Sequence, residues 1–152
     1  MIKFDARIDF NFSPRDVVSY MGLEDGGRVQ KAIDKAVIDY SLPYWAWETG
    51  TMARGAYAAT RYGSGQVIWP GPYAGYQYRG IVYGPNIPVF EDNTGIPTRF
   101  FSIPGSKKHP TGKKLKYSTD TNPLAGAFPI ERMKADRMED ILTEAINAMK
   151  ER

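Results

Sequence analysis

The 152-residue chain has no cysteine and a single histidine, His109. The first absence excludes disulfides and thiolate metal sites, and the second excludes a histidine-rich metal centre. Stability must therefore come from packing or from assembly. No apolar run approaches the ~20 residues that span a bilayer, and no membrane partner is expected. The opening MIKFDARIDF alternates and lacks the apolar core of a secretory signal, so the expectation is a protein made and kept in a cytoplasm. Charge of one sign is in short surplus: 20 basic and 17 acidic residues leave a net +3. That excess by itself does not argue for nucleic acid. No GxxxxGK[ST], no HExxH and no paired cysteines occur, so no cofactor is expected.

What the chain does have is rings. Aromatic residues make up 13%, ten of them tyrosine. Tyrosine has an apolar body and a polar tip, which suits surfaces wet in one state and buried in another. The length predicts one domain over 1–152, large enough to bury a core without staples. Residues 2–12 alternate strictly, with Ile2, Phe4, Ala6, Ile8, Phe10 and Phe12 on one side, which predicts a half-buried strand. Ser13-Pro14-Arg15-Asp16 predicts a capped helix start, closed at Gly22. Val29, Ala32, Ile33, Ala36, Val37 and Tyr40 form one helical stripe, with Asp34 among the charges placed off it, and Pro43 closes that helix. Thr49-Gly50 marks a turn or helix start before Met52. Tyr57–Tyr62 and Val67–Trp69, separated by Gly63-Ser64-Gly65-Gln66, predict a β-hairpin.

Seven prolines between 84 and 129 break any long element there. Residues 84–121 are read as an extended loop or arm, with a hairpin across Lys113–Tyr117. It contains SKKHPTGKKLKY, an acid-free run carrying Lys107, Lys108, Lys113, Lys114 and Lys116. A final helix runs from Pro129, with Ile130, Met133, Met138, Ile141, Leu142, Ala145 and Met149 on its apolar face. The fold class expected is α+β: a small antiparallel sheet, partly barrel-like, packed against an amphipathic helix, with a C-terminal helix and a long irregular arm.

Little in the sequence carries chemistry. His109 sits between Lys108 and Pro110 in a polar segment, without the orienting partner and shelter that a catalytic histidine needs. Glu48 would need a second carboxylate across a scissile bond, and nothing in the sequence brings Glu91 or Asp92 to it. No catalytic or metal site is assigned, and the expectation is a non-enzyme. Trp45, Trp47, Trp69, Tyr73, Tyr76, Tyr78 and Tyr83 are too many rings for polar loops to expose singly. About half are expected in the core and the remainder in protein interfaces, which are enriched in such residues. The lysines are candidates for docking to a neighbour or for sequence-independent contact with DNA phosphates. A solvated charge run is the plain alternative.

The order of these features resembles the minor capsid, or head–tail connector, family of long-tailed bacteriophages. The matching features, over residues 27 to about 150, begin with a helix ending in Ser41-Leu42-Pro43-Tyr44 and with Thr49-Gly50 ahead of Met52. They continue with Gly63-Ser64-Gly65 before an expected strand, Pro72-Tyr73-Ala74, and Asn122-Pro123 leading to Glu131-Arg132-Met133. The N-terminal strand and the length of the 84–121 loop depart from the pattern. The resemblance implies a structural virion protein at the neck, serving head closure, tail completion or tail termination. It would be assembled in the bacterial cytoplasm as a homo-oligomeric ring of about six or twelve copies around the DNA channel, closed by rotation. Its implied partners are neighbouring neck and tail proteins, with non-specific contact to packaged DNA. The alternatives are a capsid decoration protein and a carbohydrate-binding module stacking sugars on Trp69, Tyr73, Tyr76 and Tyr78.

Overall fold

The computed structural model describes residues 13–151, so the strand expected over 2–12 lies outside the described residues. The described chain begins with helix α1, Pro14–Met21. Ser13 Oγ accepts from Asp16 N–H, and the Asp16 carboxylate accepts from Ser13 N–H at 2.8 Å, a reciprocal capping box. Gly22 ends the helix at φ 72°, as the sequence predicts. Its carbonyl then accepts from Val29 N–H at 2.9 Å, so the end of α1 satisfies a first-turn amide of the next helix.

Helix α2, Arg28–Ser41, is the centre of the fold. It lies antiparallel to the last helix, α5 (Pro129–Lys150), because the Arg28 guanidinium donates to the Ala148 carbonyl at 3.0 Å while Tyr44 OH donates to Asp136 at 2.8 Å. A cation on the last carbonyls of α5 also complements that helix's negative end. The predicted stripe is the contact. Ala36 packs with Met133 and Ile141, and Val29 packs with Ala145 and Ala148, with Ala32, Ile33, Val37 and Tyr40 at the margins.

α2 also has a second buried face, made of Asp34, Ile38 and Ser41. It looks onto the segment after helix α3, Thr51–Ala59. Asp34 is only 2% exposed. Its carboxylate accepts from Gly63 N–H at 2.7 Å, Gly65 N–H at 3.2 Å and Gln30 Nε2 at 2.9 Å. Gly63, at φ 94°, stands so close to the chain at Gly26 that an added Cβ would lie 2.6 Å from Gly26 Cα. Only glycine meets both demands.

Four expectations are corrected here. The Tyr57–Tyr62/Val67–Trp69 hairpin does not form. Tyr57 is in α3, whose four alanines favour helix, and the Gly63 turn ties back to Asp34 and Gly26 rather than joining two strands. Met138 and Leu142 are exposed rather than core, because α2 covers only one of the two apolar stripes of α5. The third concerns the sheet. Helix α4 (Ala74–Arg79) leads into β1 (Ile81–Gly84) and β2 (Ile87–Val89); β3 (Arg99–Phe101) and β4 (His109–Lys114) return. β2 pairs with β3 and β1 with β4, both antiparallel, so the chain runs out and back as one nested ribbon. The class is α+β, but the pairs do not close into a barrel. Nor does a sheet among the described residues cover α2, whose apolar stripe belongs to α5. The Lys113–Tyr117 hairpin is absent too, since Lys114 pairs with Ile81 across β1–β4.

Asp34→Ala would leave two backbone N–H groups and the Gln30 amide without their buried acceptor. The expected loss is about 3 kcal/mol, from charged hydrogen bonds in a buried site. Thermal unfolding should show it as a drop in Tm of roughly 6–12 °C for a chain of this size. An unchanged Tm would mean that this carboxylate does not hold the 60–65 turn.

Candidate subunit interface

The seven candidate rings separate into three groups. Trp45 follows the 3-10 turn Leu42–Tyr44 and is 4% exposed. Its ring meets Trp69 at 4.7 Å and Tyr78 at 6.2 Å between centroids, and Tyr78 in turn meets Phe128 edge-on at 5.6 Å. Asn122 fixes this turn from outside, donating to the carbonyls of Leu42 at 3.0 Å and Trp45 at 2.9 Å. Phe128 has φ 51°, an uncommon conformation for a bulky residue. Its N–H donates to the Tyr78 carbonyl at 2.8 Å, which holds it there. Tyr76 and Tyr83 form a separate pair at the root of the ribbon, 4.7 Å apart. Trp47 and Tyr73 are exposed, Tyr73 by 71%.

Trp45, Trp47, Trp69 and Tyr73, with Met52 and Pro70, line one open cleft of ≈410 Å³. Its wall is mostly apolar, but two polar atoms there stand out. Trp45 Nε1 and Gln77 Oε1 are buried and have no hydrogen-bond partner among the described residues. Buried polar atoms are nearly always paired, so each such atom needs an explanation. Glu48 lines the same cleft and is exposed. The other nearby amide, Asn86, is committed: it donates to the Tyr83 carbonyl and accepts from Lys108 and Ser102.

The lysines do not act as one group. Lys108 Nζ is half-buried and braces the ribbon from inside, donating to Asn86 Oδ1 at 2.8 Å and Ser102 Oγ at 2.6 Å. Lys107, Lys113, Lys114 and Lys116 are exposed, and none pairs with a carboxylate among the described residues. His109 is exposed in β4 opposite Gly84. Glu91 pairs with Arg99, and Asp92 accepts from Thr94 beyond β2, so neither carboxylate joins Glu48 at the cleft.

A further surface, apolar and outside the seven rings and the lysines, lies on the ribbon. Ile87, Phe90, Ile96, Phe100, Phe101 and Ile103 all project from the ribbon, with Ile96 69% and Phe100 64% exposed. The signal was present as Phe100-Phe101 and scattered isoleucines in a proline-broken run, where no helical period exposed it. On α5, Met138, Leu142 and Ile146 make a second exposed stripe at i, i+4 and i+8. Comparison of the chain with protein-family models, curated proteins and solved structures returned no match.

Two tyrosines on this framework report its integrity. Burial, reinforced by the Asp39 carboxylate that accepts its hydroxyl proton, pushes Tyr57 up to about 12. Burial and the Glu131 carboxylate do the same for Tyr78, also to about 12. Both folded values lie above the ordinary 10, so their stabilisation is complete below pH 10 and is lost as pH rises towards 12. A tyrosinate absorbance titration should show late-ionising tyrosines that become fewer in Tyr57→Phe and in Tyr78→Phe. Unfolding midpoints should fall across the same window. All ten tyrosines ionising together near pH 10 in the folded protein would contradict both environments.

Proposed function

We propose that this chain is a structural subunit of a bacteriophage virion, forming a ring at the head–tail junction. The observation that carries this reading is the ribbon. It presents bulky apolar side chains to solvent on strands that have little but each other to pack against. An isolated two-stranded ribbon is marginal in water, and contiguous exposed apolar surface marks an interaction site. Such a projection is what a subunit needs if its fold is finished by its neighbours. The order of sequence features shared with the head–tail connector family supplies the context. The helical pair α2–α5 would be the rigid body of each subunit, and the ribbon and the cleft its contact surfaces. The exposed lysines of the ribbon would face a neighbour or the channel, where they would attract DNA without reading its sequence.

The sugar-binding alternative draws less support. Of its four platform rings, only Trp69 and Tyr73 line the cleft; Tyr76 packs on Tyr83, and Tyr78 on Trp45 and Phe128.

Quantifying the chain in purified particles by mass spectrometry should give about six to twelve copies, as a closed ring at one vertex demands. Deleting the gene should leave DNA-filled heads beside unattached tails. Hundreds of copies, or joined infectious particles without the gene, would refute the neck assignment. Replacing Lys107, Lys113, Lys114 and Lys116 with Gln should lower particle yield or DNA retention while leaving Tm within a few degrees. Lys108 is excluded because it braces the ribbon. Normal yield and retention would reduce these lysines to a solvated charge run.

A further inference from the structure

We infer that the aromatic cleft is the socket for the ribbon of a second copy of this chain, so that subunits join ribbon-to-cleft, head to tail. The inference rests on the ring-subunit reading and names the contact that would build it. Its first support is the shape of the two surfaces. In the β2–β3 ladder Ile87 faces Phe101 and Pro88 faces Phe100. Successive residues point to opposite sides of a strand, so the two phenylalanines make both faces of the ribbon apolar. Among the described residues no second layer covers these two strands. The cleft offers a concave, ring-lined surface of the right character, and no residue between 78 and 128 lines it in the same chain.

The second support is polar. The cleft holds one unpartnered buried donor, Trp45 Nε1, and one unpartnered buried acceptor, Gln77 Oε1. An extended backbone carries both a carbonyl and an N–H, the two kinds of partner that these atoms lack. Main-chain pairing with side chains seated in pockets is a known mode of peptide capture.

The third support is charge. The ribbon, residues 81–114, carries five basic residues, Arg99, Lys107, Lys108, Lys113 and Lys114, against two acids, Glu91 and Asp92. Among the described residues that line the cleft, the one charged side chain is Glu48. The ribbon is thus positive and the cleft carries an acid. Opposite potentials on two surfaces of one chain favour a copy over an unrelated partner. Because the surfaces differ, each contact leaves one ribbon and one cleft open, which propagates until rotation closes a ring.

The test uses the whole chain and two variants. Phe100→Ser with Phe101→Ser removes the plug from exposed positions. Tyr73→Lys places a charge of the ribbon's own sign at the socket, and Tyr73 is 71% exposed, so the fold should be kept. In sedimentation the wild type should form oligomers, and each variant alone should associate at least tenfold more weakly. An equimolar mixture should give a dimer and nothing larger, since one intact ribbon meets one intact cleft and the two remaining surfaces are both broken. Recovery of that dimer also shows that both variants are folded. Variants that assemble like the wild type, or a mixture that stays monomeric or forms full rings, would overturn the inference. A covalent version serves at low affinity. Phe101→Cys and Tyr73→Cys chains, mixed and oxidised, should give a disulfide-linked dimer, because the chain has no other cysteine. A wild type that remains monomeric together with no such cross-link overturns the inference and leaves the cleft to a different occupant. Ring copy number in particles with no ribbon-to-cleft contact would sink the inference and leave the neck reading standing; absence from particles would sink the neck reading.

Discussion

The buried carboxylate of Asp34 is the constraint on which the functional half of this chain depends. It sits on the central helix, and its three donors come from its own helix and from a turn some thirty residues on. Residues 60–73 belong to no helix or strand, and besides that acceptor they are tied by Gly26 N–H, which donates to the Gly63 carbonyl at 2.9 Å, and by Arg61, which pairs with Asp25 at 3.0 Å. That segment delivers Trp69 onto Trp45 and sets Tyr73 at the start of α4. A weaker side-chain bond, from Ile68 N–H to Thr60 Oγ1, spans the same stretch. One buried carboxylate therefore helps to position an irregular loop, together with these ties from outside it. The arrangement is costly if broken, since a buried group left unpaired loses more than the bond was worth.

Where a local rule sufficed, the sequence was legible. Ser13, Pro14 and Asp16 predict α1 because a capping box is a contact among near neighbours. The stripe from Val29 to Tyr40 predicts the face that α5 covers, because a single period of 3.6 selects one side of a helix. The failures lie where the deciding contact is remote. Asp34 reads as a solvent charge off the stripe, yet a distant glycine turn makes it core. Residues Tyr57–Ala59 look strand-forming beside Tyr62, yet they finish an alanine-rich helix. The second stripe of α5 merged with the first in the sequence, since Ile141 and Leu142 are adjacent and only packing separates them. The ribbon was legible as an arm and illegible as strands, because its pairing is nested and each ladder is short.

The rings show the same division within one motif. Seven aromatics in a short stretch suggest one patch, but backbone anchors sort them. Asn122 and the neighbours of Phe128 lock Trp45 and Tyr78 inward, while Tyr83, carried on β1, draws Tyr76 to the ribbon root. What remains at the surface is Trp47 and Tyr73, on either side of a cleft whose floor is already built. The anchoring residues Asn122 and Phe128 carry no aromatic signal of interface in the one case and an unremarkable one in the other. No count of rings would have found them.

Helix packing and ribbon exposure are two sides of one allocation. The α2–α5 pair absorbs most of the fully buried apolar side chains, including Val29, Ala36, Met133 and Ile141. That leaves the ribbon, whose apolar content is comparable in kind, with no layer among the described residues to pack on. A chain of this length can bury a core of its own, so the exposure is not forced by size. It follows from where the hydrophobic residues were placed: on strands that extend away from the helices and that carry the basic charge as well. Like charge keeps such ribbons from pairing edge to edge with one another, while their apolar faces still require cover. Repulsion between like ribbons and attraction to an unlike surface that carries Glu48 select the same geometry, a directional contact between different surfaces. A closed ring is the arrangement in which every such contact is made once and none is left over.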